Sequence, residues 1–192
     1  MKVALIQMNS TSHVDDNLDK ARALIERAAL TGAKLVVLPE MFACIGVKDQ
    51  VSLAIEYFSK ANIISVMGQW AKDFNVFIVA GSVPYLCENN DEKVLAACFV
   101  LSPAGQIISQ YNKVHLFDVF VGDEKGRYRE SDTFIPGNKP VVVEVEDTKL
   151  GLSICYDLRF PELYQAYQKN NCQLITVPSA FTYETGKAHW EI

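Results

Sequence analysis

The stretch Leu35-Val36-Val37-Leu38-Pro39-Glu40 indicates the fold class of this chain most clearly, because four consecutive apolar residues end there at a proline and a carboxylate. A wholly apolar run of this length is typical of a strand buried on both faces, as in a sheet that is covered by helices. On either side of this stretch, apolar spacing over His13–Leu30 and over 50–74 predicts helices, and the apolar run Val76–Ala80, closed by Gly81, predicts another buried strand. The alternation of strands and helices predicts an α/β fold.

The second half of the chain changes from this alternation to hairpins. Val94–Leu101 and Ile107–Asn112 flank Ser102-Pro103-Ala104-Gly105, which is a hairpin signal. The further predicted elements are a polar surface loop over 118–137, strands over 141–145, 150–155 and 174–177, and a helix that begins at Pro161. This mixture predicts α/β layers around mixed sheets rather than a purely parallel, doubly wound fold.

The composition excludes several classes of function. The 192 residues carry 18 Lys and Arg against 23 Asp and Glu, a formal charge of −5, without any basic block, so no nucleic-acid partner is expected. No apolar run approaches the ~20 residues that span a bilayer, so no membrane partner is expected either. The five cysteines are an odd number without close pairs, which predicts reduced thiols in a cytoplasmic protein. We expect one domain over residues 1–192.

Three reactive side chains occupy the same kind of position, at or just beyond the end of a predicted strand. They are Glu40, Lys113 and Cys155. Taken singly, each has an ordinary explanation, as a loop carboxylate, a solvated lysine and a small buried thiol. Taken together, a carboxylate can accept the thiol proton and an ammonium can stabilise an oxyanion, so the three predict an acyl-transfer site.

The flanks of these residues resemble the nitrilase, or carbon–nitrogen hydrolase, superfamily. The matching segments are Leu38-Pro39-Glu40-Met41-Phe42, Tyr111-Asn112-Lys113-Val114-His115-Leu116-Phe117 and Gly151-Leu152-Ser153-Ile154-Cys155-Tyr156-Asp157-Leu158-Arg159-Phe160-Pro161-Glu162. The resemblance implies a four-layer αββα sandwich and a cysteine-dependent amidase without metal or organic cofactor. It implies that Glu40 is the general base, Lys113 the cation that stabilises the oxyanion and Cys155 the nucleophile, which forms a thioester.

The same resemblance implies roles for four further residues. The backbone N–H of Tyr156 would be the second oxyanion donor, and Glu130 would contact the lysine and the substrate. Asp157 and Arg159 would tie down the turn that carries the nucleophile, and Arg159 is also a candidate to bind substrate.

Within the superfamily, the chain is similar to the deaminated glutathione amidase group and its neighbour, ω-amidase. The segments that carry this similarity include Phe42-Ala43-Cys44-Ile45-Gly46 and Pro178-Ser179-Ala180-Phe181-Thr182. The expected substrate is a small anionic amide, deaminated glutathione or a related 2-oxo acid amide, with α-ketoglutaramate as the alternative. An anionic substrate needs a cationic anchor, for which the candidates are Arg159, Lys125, Arg127 and Arg129. Lys187 stands where that group usually has a small residue or proline.

Two other functions remain open. His13, His115 and His189 suggest a Cys–His hydrolase or a zinc site, but no ligand spacing supports a metal, and we expect His115 and His189 to be structural.

Related chains continue beyond His-Trp-Glu, so we expect the sandwich to be incomplete at the C-terminus, with an exposed edge. The chain could then be an inactive fragment or a binding subunit that needs a partner, and the homodimer expected for the family becomes doubtful.

Overall fold

The computed structural model of the chain describes residues 1–88, 90–120 and 126–190, apart from the side chains of Asp91 and His189. The strands in this part of the chain are β1 (Val3–Leu5), β2 (Leu35–Val37), β3 (Phe77–Cys87), β4 (Asn90–Leu101), β5 (Ile107–Asn112), β6 (Asp118–Phe120), β7 (Arg127–Arg129), β8 (Phe134–Ile135), β9 (Val142–Val145), β10 (Thr148–Leu152) and β11 (Leu174–Thr176). The α-helices are α1 (Val14–Leu30), α2 (Gln50–Tyr57), α3 (Lys60–Ile63), α4 (Gln69–Phe74), α5 (Pro161–Lys169) and α6 (Tyr183–His189). A π-helical turn covers Ile64–Gly68, and 3₁₀ turns cover Glu130–Asp132 and Cys155–Arg159.

The strands form a large sheet, a small sheet and a two-stranded ribbon. The large sheet has the order β1-β2-β3-β4-β5, with β8 paired to β4, and the small sheet has the order β11-β10-β9. Parallel pairing joins β1 to β2, β2 to β3, β4 to β8 and β10 to β11, whereas β3–β4, β4–β5 and β9–β10 are antiparallel. The ribbon pairs β6 with β7 in antiparallel fashion. Both larger sheets are therefore mixed, as the hairpins in the sequence predict.

Two hydrophobic cores show how the helices and sheets are stacked in layers. Helices α1 and α4 cover one face of the large sheet, where Ile25 and Trp70 pack with Ile78. The opposite face packs against the small sheet, and Val79 and Leu150 are buried in that second core. Helix α5 covers the outer face of the small sheet, with the Tyr167 ring directly above Gly151. The predicted α/β class with αββα layers is confirmed.

One predicted boundary is wrong, because β3 does not stop at Gly81 but continues to Cys87. The register with β4 shifts between Ala80 and Val83, so Gly81 lies in a bulge and has a φ of 25°. A glycine is required there, since a Cβ on Gly81 would lie 1.8 Å from the carbonyl oxygen of Pro39. The next residue, Ser82, accepts a hydrogen bond from the N–H of Met41 at 3.1 Å. The bulge therefore supports the turn that carries Glu40.

Three other predicted elements are also modified. The helical region over 50–74 is divided, because Ser59 accepts a hydrogen bond from the Asn62 N–H and begins a new helix. The predicted strand over 150–155 begins earlier and ends at Leu152, which leaves Cys155 in a 3₁₀ turn. The segment over 118–137 is not a plain surface loop, since it contributes the ribbon, a 3₁₀ turn and β8. Among the described residues, no helix is long and apolar enough to cross a membrane.

The bulge yields a stability prediction. Gly81→Ala should lower the free energy of unfolding by about 3 kcal/mol or more, because the new methyl group collides with a backbone oxygen that cannot move away. Gly32→Ala is the matched control, since Gly32 also has a positive φ, of 85°, but has no neighbour within 4 Å. Gly32→Ala should lower the free energy of unfolding by only about 1 kcal/mol. Urea unfolding followed by tryptophan fluorescence measures both, and equal losses would contradict the prediction.

Candidate active site

The ends of three strands bring Glu40, Lys113 and Cys155 to one cleft. Glu40 lies three residues after β2 and Lys113 directly follows β5. Cys155 lies three residues after β10 and begins a 3₁₀ turn. All three side chains line a cleft of about 1020 Å³, together with Glu130. The structure therefore brings together the residues that the sequence analysis singled out for acyl transfer.

Lys113 forms the electrostatic centre of the cleft. Its ammonium nitrogen lies 2.8 Å from Oε1 of Glu40 and 2.9 Å from Oε2 of Glu130. The side chain of Lys113 is only 1% exposed. A buried ammonium is tolerated only when it is paired and hydrogen-bonded. Two carboxylates meet this requirement and hold the nitrogen in one place.

The charges of this cluster shift the pKa of its members. Burial acts to lower the pKa of Lys113, but the charges of Glu40 and Glu130 outweigh it and hold that pKa above its ordinary value. Burial raises the pKa of Glu130, the charge of Lys113 opposes this rise, and the charge of Glu40 adds to it. Lys113 therefore stays positively charged, and Glu130 is protonated more readily than a free glutamate would be.

Both oxygens of Glu40 are fixed, which sequence reasoning did not foresee. Oε1 accepts from Lys113, and Oε2 accepts from the backbone N–H of Ala180 at 2.8 Å. Ala180 belongs to the segment after β11, and in the same segment the carbonyl of Pro178 accepts from the N–H of Cys155 at 2.9 Å. One segment thus holds the base and the thiol together. The resemblance of 178–182 to related amidases was its only sequence signal.

The thiol of Cys155 is buried and mostly neutral. The residue is 6% exposed and has a φ of 45°, a conformation that is strained for any residue except glycine. Burial raises the pKa of the thiol, and Glu40 raises it further through its charge and a hydrogen bond, whereas the charge of Lys113 lowers it. A thiol of this kind needs a base at the moment of attack, and Glu40 is in place to accept the proton.

His115 is turned away from catalysis and towards Asp157. Its Nδ1 lies 2.8 Å from Oδ1 of Asp157, and its ring stacks on Phe160 with 3.7 Å between the centroids. The side chain of Asp157 is completely buried. The expected structural role of His115 therefore matches its contacts, and the geometry gives no support to a Cys–His pair. The side chain of His189 lies outside the described part of the structure.

The cationic candidates occupy different environments. Arg159 lines the cleft, is exposed, and has no ion pair with another described residue. Arg129 also lines the cleft but lies 3.4 Å from a carboxylate oxygen of Asp132. Arg127 stacks over the ring of Phe120 and does not line the cleft. Lys125 lies outside the described residues, and Lys187 is exposed on α6.

The rest of the cleft wall is largely apolar. Tyr156 is the second residue of the 3₁₀ turn, where N–H groups lack an acceptor within the helix itself. Aromatic and aliphatic side chains form most of the remaining wall: Met41, Ile45, Phe117, Val119, Phe120, Tyr128, Phe134 and Phe181. Within the described ranges, no group of three or more His, Cys, Asp or Glu residues could hold a metal ion.

Known proteins are similar to this chain in sequence and in fold. The chain is 38% identical over its whole length to omega-amidase NIT2 of Danio rerio and 34% identical over 99% of its length to deaminated glutathione amidase of Yersinia enterocolitica. It spans 67% and 66% of these relatives, respectively. The C. elegans NitFhit protein superposes with a TM-score of 0.89 at 33% identity, covering 98% of this chain and 46% of that one.

The match to a family covers nearly every residue of the chain. Residues 2–192 match the carbon–nitrogen hydrolase family, and this range includes the whole cluster around Lys113. Family, fold and cleft thus point to one class of enzyme, a hydrolase of carbon–nitrogen bonds in amides. The chain belongs to the carbon–nitrogen hydrolase, or nitrilase, superfamily.

Proposed function

We propose that this chain hydrolyses the amide bond of a small anionic substrate through a thioester on Cys155. The observation that carries the proposal is the Lys113 ammonium, buried between Glu40 and Glu130 beside a buried thiol in an open cleft. A general base, a fixed cation and a sulfur nucleophile are the groups that acyl transfer needs. The amidase names of two relatives support the same reaction.

In the first half of the reaction, the sulfur of Cys155 attacks the amide carbonyl carbon while Glu40 takes the thiol proton. The carbonyl oxygen becomes an oxyanion, which Lys113 and the backbone N–H of Tyr156 stabilise. Glu40 then gives its proton to the amide nitrogen as the carbon–nitrogen bond breaks. Ammonia or an amine leaves, and the acyl group stays on sulfur as a thioester.

In the second half, water replaces the amine. Glu40 takes a proton from the water, whose oxygen attacks the thioester carbon, and the same cation and N–H stabilise the second oxyanion. The carbon–sulfur bond breaks and the thiol of Cys155 recovers a proton from Glu40. Glu130 keeps the ammonium of Lys113 in position during both halves and adds a polar wall near the substrate.

For the substrate, we propose a 2-oxo acid amide, deaminated glutathione or a close relative of it. Arg159 supports an anionic substrate, since it lines the cleft without an ion pair to any described residue. The apolar wall suits the uncharged part of such a molecule. The similarity to an omega-amidase favours α-ketoglutaramate as the alternative.

The setting of the enzyme is also part of the proposal. All five cysteines are free, which suits the reducing cytoplasm. The single domain over 1–192 and the homodimer expected from the resemblance stay predictions. A binding subunit without activity of its own is the alternative from another class, and the turnover measurement below separates it from the enzyme.

Replacing the nucleophile should abolish turnover, and replacing the base should strongly reduce it. We expect Cys155→Ala to stop ammonia release from a 2-oxo acid amide, and Glu40→Gln to lower kcat by about 10²- to 10⁴-fold, because the proton acceptor is lost. Cys172→Ala, which removes a thiol outside the cleft, should release ammonia at the wild-type rate. Ammonia release is measured alongside intact-protein mass spectrometry, which detects the acyl adduct. A folded wild-type chain with neither adduct nor turnover would favour the binding subunit instead.

The raised pKa of Cys155 gives a pH profile that distinguishes this site from a Cys–His pair. Because the neutral thiol is favoured, alkylation of Cys155 by iodoacetamide should accelerate about tenfold per pH unit over roughly pH 7 to 10. Peptide mass spectrometry measures the rate, with Cys87 as an internal reference. A plateau already reached near neutral pH would indicate a preformed thiolate and would count against the prediction.

The substrate anchor is tested by charge. Arg159→Gln should raise KM for an anionic amide by about 10- to 100-fold, the loss of one charge-assisted hydrogen bond, with little change in kcat. A neutral amide of the same size should be unaffected. Arg127→Gln is the matched control, because Arg127 does not line the cleft. Equal effects of Arg159→Gln on both amides would exclude Arg159 as the anchor.

A further inference from the structure

The completely buried carboxylate of Asp157 gathers four hydrogen bonds from two separate segments. Its Oδ1 accepts from the backbone N–H of His115 at 2.9 Å and contacts the ring Nδ1 of the same residue at 2.8 Å. Its Oδ2 accepts from the hydroxyl of Tyr111 at 2.6 Å and from the backbone N–H of Ile154 at 2.9 Å. A carboxylate offers about four lone-pair sites, so this one is fully used.

The donors and Asp157 itself lie within two residues of Lys113 or Cys155. Tyr111 and His115 lie two residues before and two residues after Lys113. Ile154 directly precedes Cys155, and Asp157 follows it by two residues. A single carboxylate therefore joins residues on both sides of the cation to the turn that carries the nucleophile.

Other contacts give this junction its rigidity. The ring of His115 is stacked on Phe160, with an angle of 7° between the planes. The backbone of Lys113 is itself held by hydrogen bonds to Ala96 at 3.0 Å and from Gly137 at 2.7 Å. The Lys113 segment is thus a fixed platform, and Asp157 connects the strained turn at Cys155 to it.

We propose that Asp157 is a positioning residue, which sets the distance between the ammonium of Lys113 and the sulfur of Cys155 by joining their two segments. The inference rests on the proposed function, because that distance matters only if the sulfur attacks and the ammonium stabilises the oxyanion. Asp157 does not line the cleft, so it acts through the residues that it holds. A misplacement of about 1 Å in such a site can lower the rate about a hundredfold.

An asparagine cannot replace this carboxylate in either orientation. Each oxygen of Asp157 accepts one backbone N–H, from His115 on one side and from Ile154 on the other. Whichever way the amide turns, its NH₂ group faces a backbone N–H that cannot become an acceptor. Asp157→Asn must therefore break one of the two backbone connections.

The test compares Asp157→Asn with two variants that remove one side-chain donor each. Tyr111→Phe removes the hydroxyl, and His115→Phe removes Nδ1 while keeping an aromatic ring on Phe160. Tyr167→Phe is the matched control, since it removes another buried tyrosine hydroxyl, one that donates to the Leu152 carbonyl and not to Asp157. The readouts are kcat and KM for a 2-oxo acid amide, the rate of Cys155 alkylation by iodoacetamide, and urea unfolding.

We expect about a hundredfold lower kcat in Asp157→Asn and about tenfold lower in Tyr111→Phe and in His115→Phe, with KM almost unchanged. The alkylation rate of Cys155 should fall in the same order, while that of Cys87 should not. Tyr167→Phe should lose stability but keep kcat. Those results would support a positioning role, because a merely structural residue would lower stability without changing kcat or the reactivity of one thiol.

Wild-type kcat and Cys155 reactivity in a folded Asp157→Asn protein would overturn the inference and leave the proposed function intact. If Asp157→Asn does not fold, Tyr111→Phe and His115→Phe decide, and normal kcat and reactivity in both would overturn it. Turnover that survives Cys155→Ala would instead overturn the proposed function. The two failures are therefore distinguishable.

Discussion

The buried ammonium of Lys113 governs how the other residues of the site are arranged. An isolated charge at 1% exposure would be strongly unfavourable, so the fold must supply partners from elements that are distant in sequence. Glu40 comes from the end of β2, and Glu130 comes from the 3₁₀ turn after the ribbon. Glu130 is itself held by the N–H of Phe117 at 2.6 Å. The two ion pairs of Lys113 thus fix the position of the ribbon segment relative to the large sheet.

The local sequence predicted that Glu40, Lys113 and Cys155 lie at or near strand ends, because each ends or closely follows a short strand-like run. It placed the end of β10 at Cys155, three residues later than the observed end at Leu152. It could not predict the bulge at Gly81, since a glycine after an apolar run usually ends a strand. The reason that β3 continues is the close approach of the Pro39 carbonyl, a contact between segments about 40 residues apart. The role of Ala180 was equally hidden, because every residue except proline carries a backbone N–H.

Glu130 shows why the middle of the chain was the hardest part to predict. Strands β6 and β7 have three residues each, which is too short for a visible apolar rhythm, and the segment between them is polar. The residue became a site candidate through the family resemblance, whereas its position comes from contacts with Lys113 and Phe117 that only the folded chain contains. Burial of a loop carboxylate is a tertiary property, and composition carries no signal for it.

The burial that weakens Cys155 as a resting nucleophile strengthens the site in the transition state of the proposed reaction. Removing water raises the pKa of the thiol, so little thiolate exists before substrate binds. The same removal of water makes the attraction between Lys113 and a developing oxyanion larger than it would be in solvent. Negative charge is therefore unfavourable on sulfur alone and favourable once it has moved to the substrate oxygen. A site of this kind gains its rate from the difference between these two states, which requires that the cation stay fixed while the charge moves.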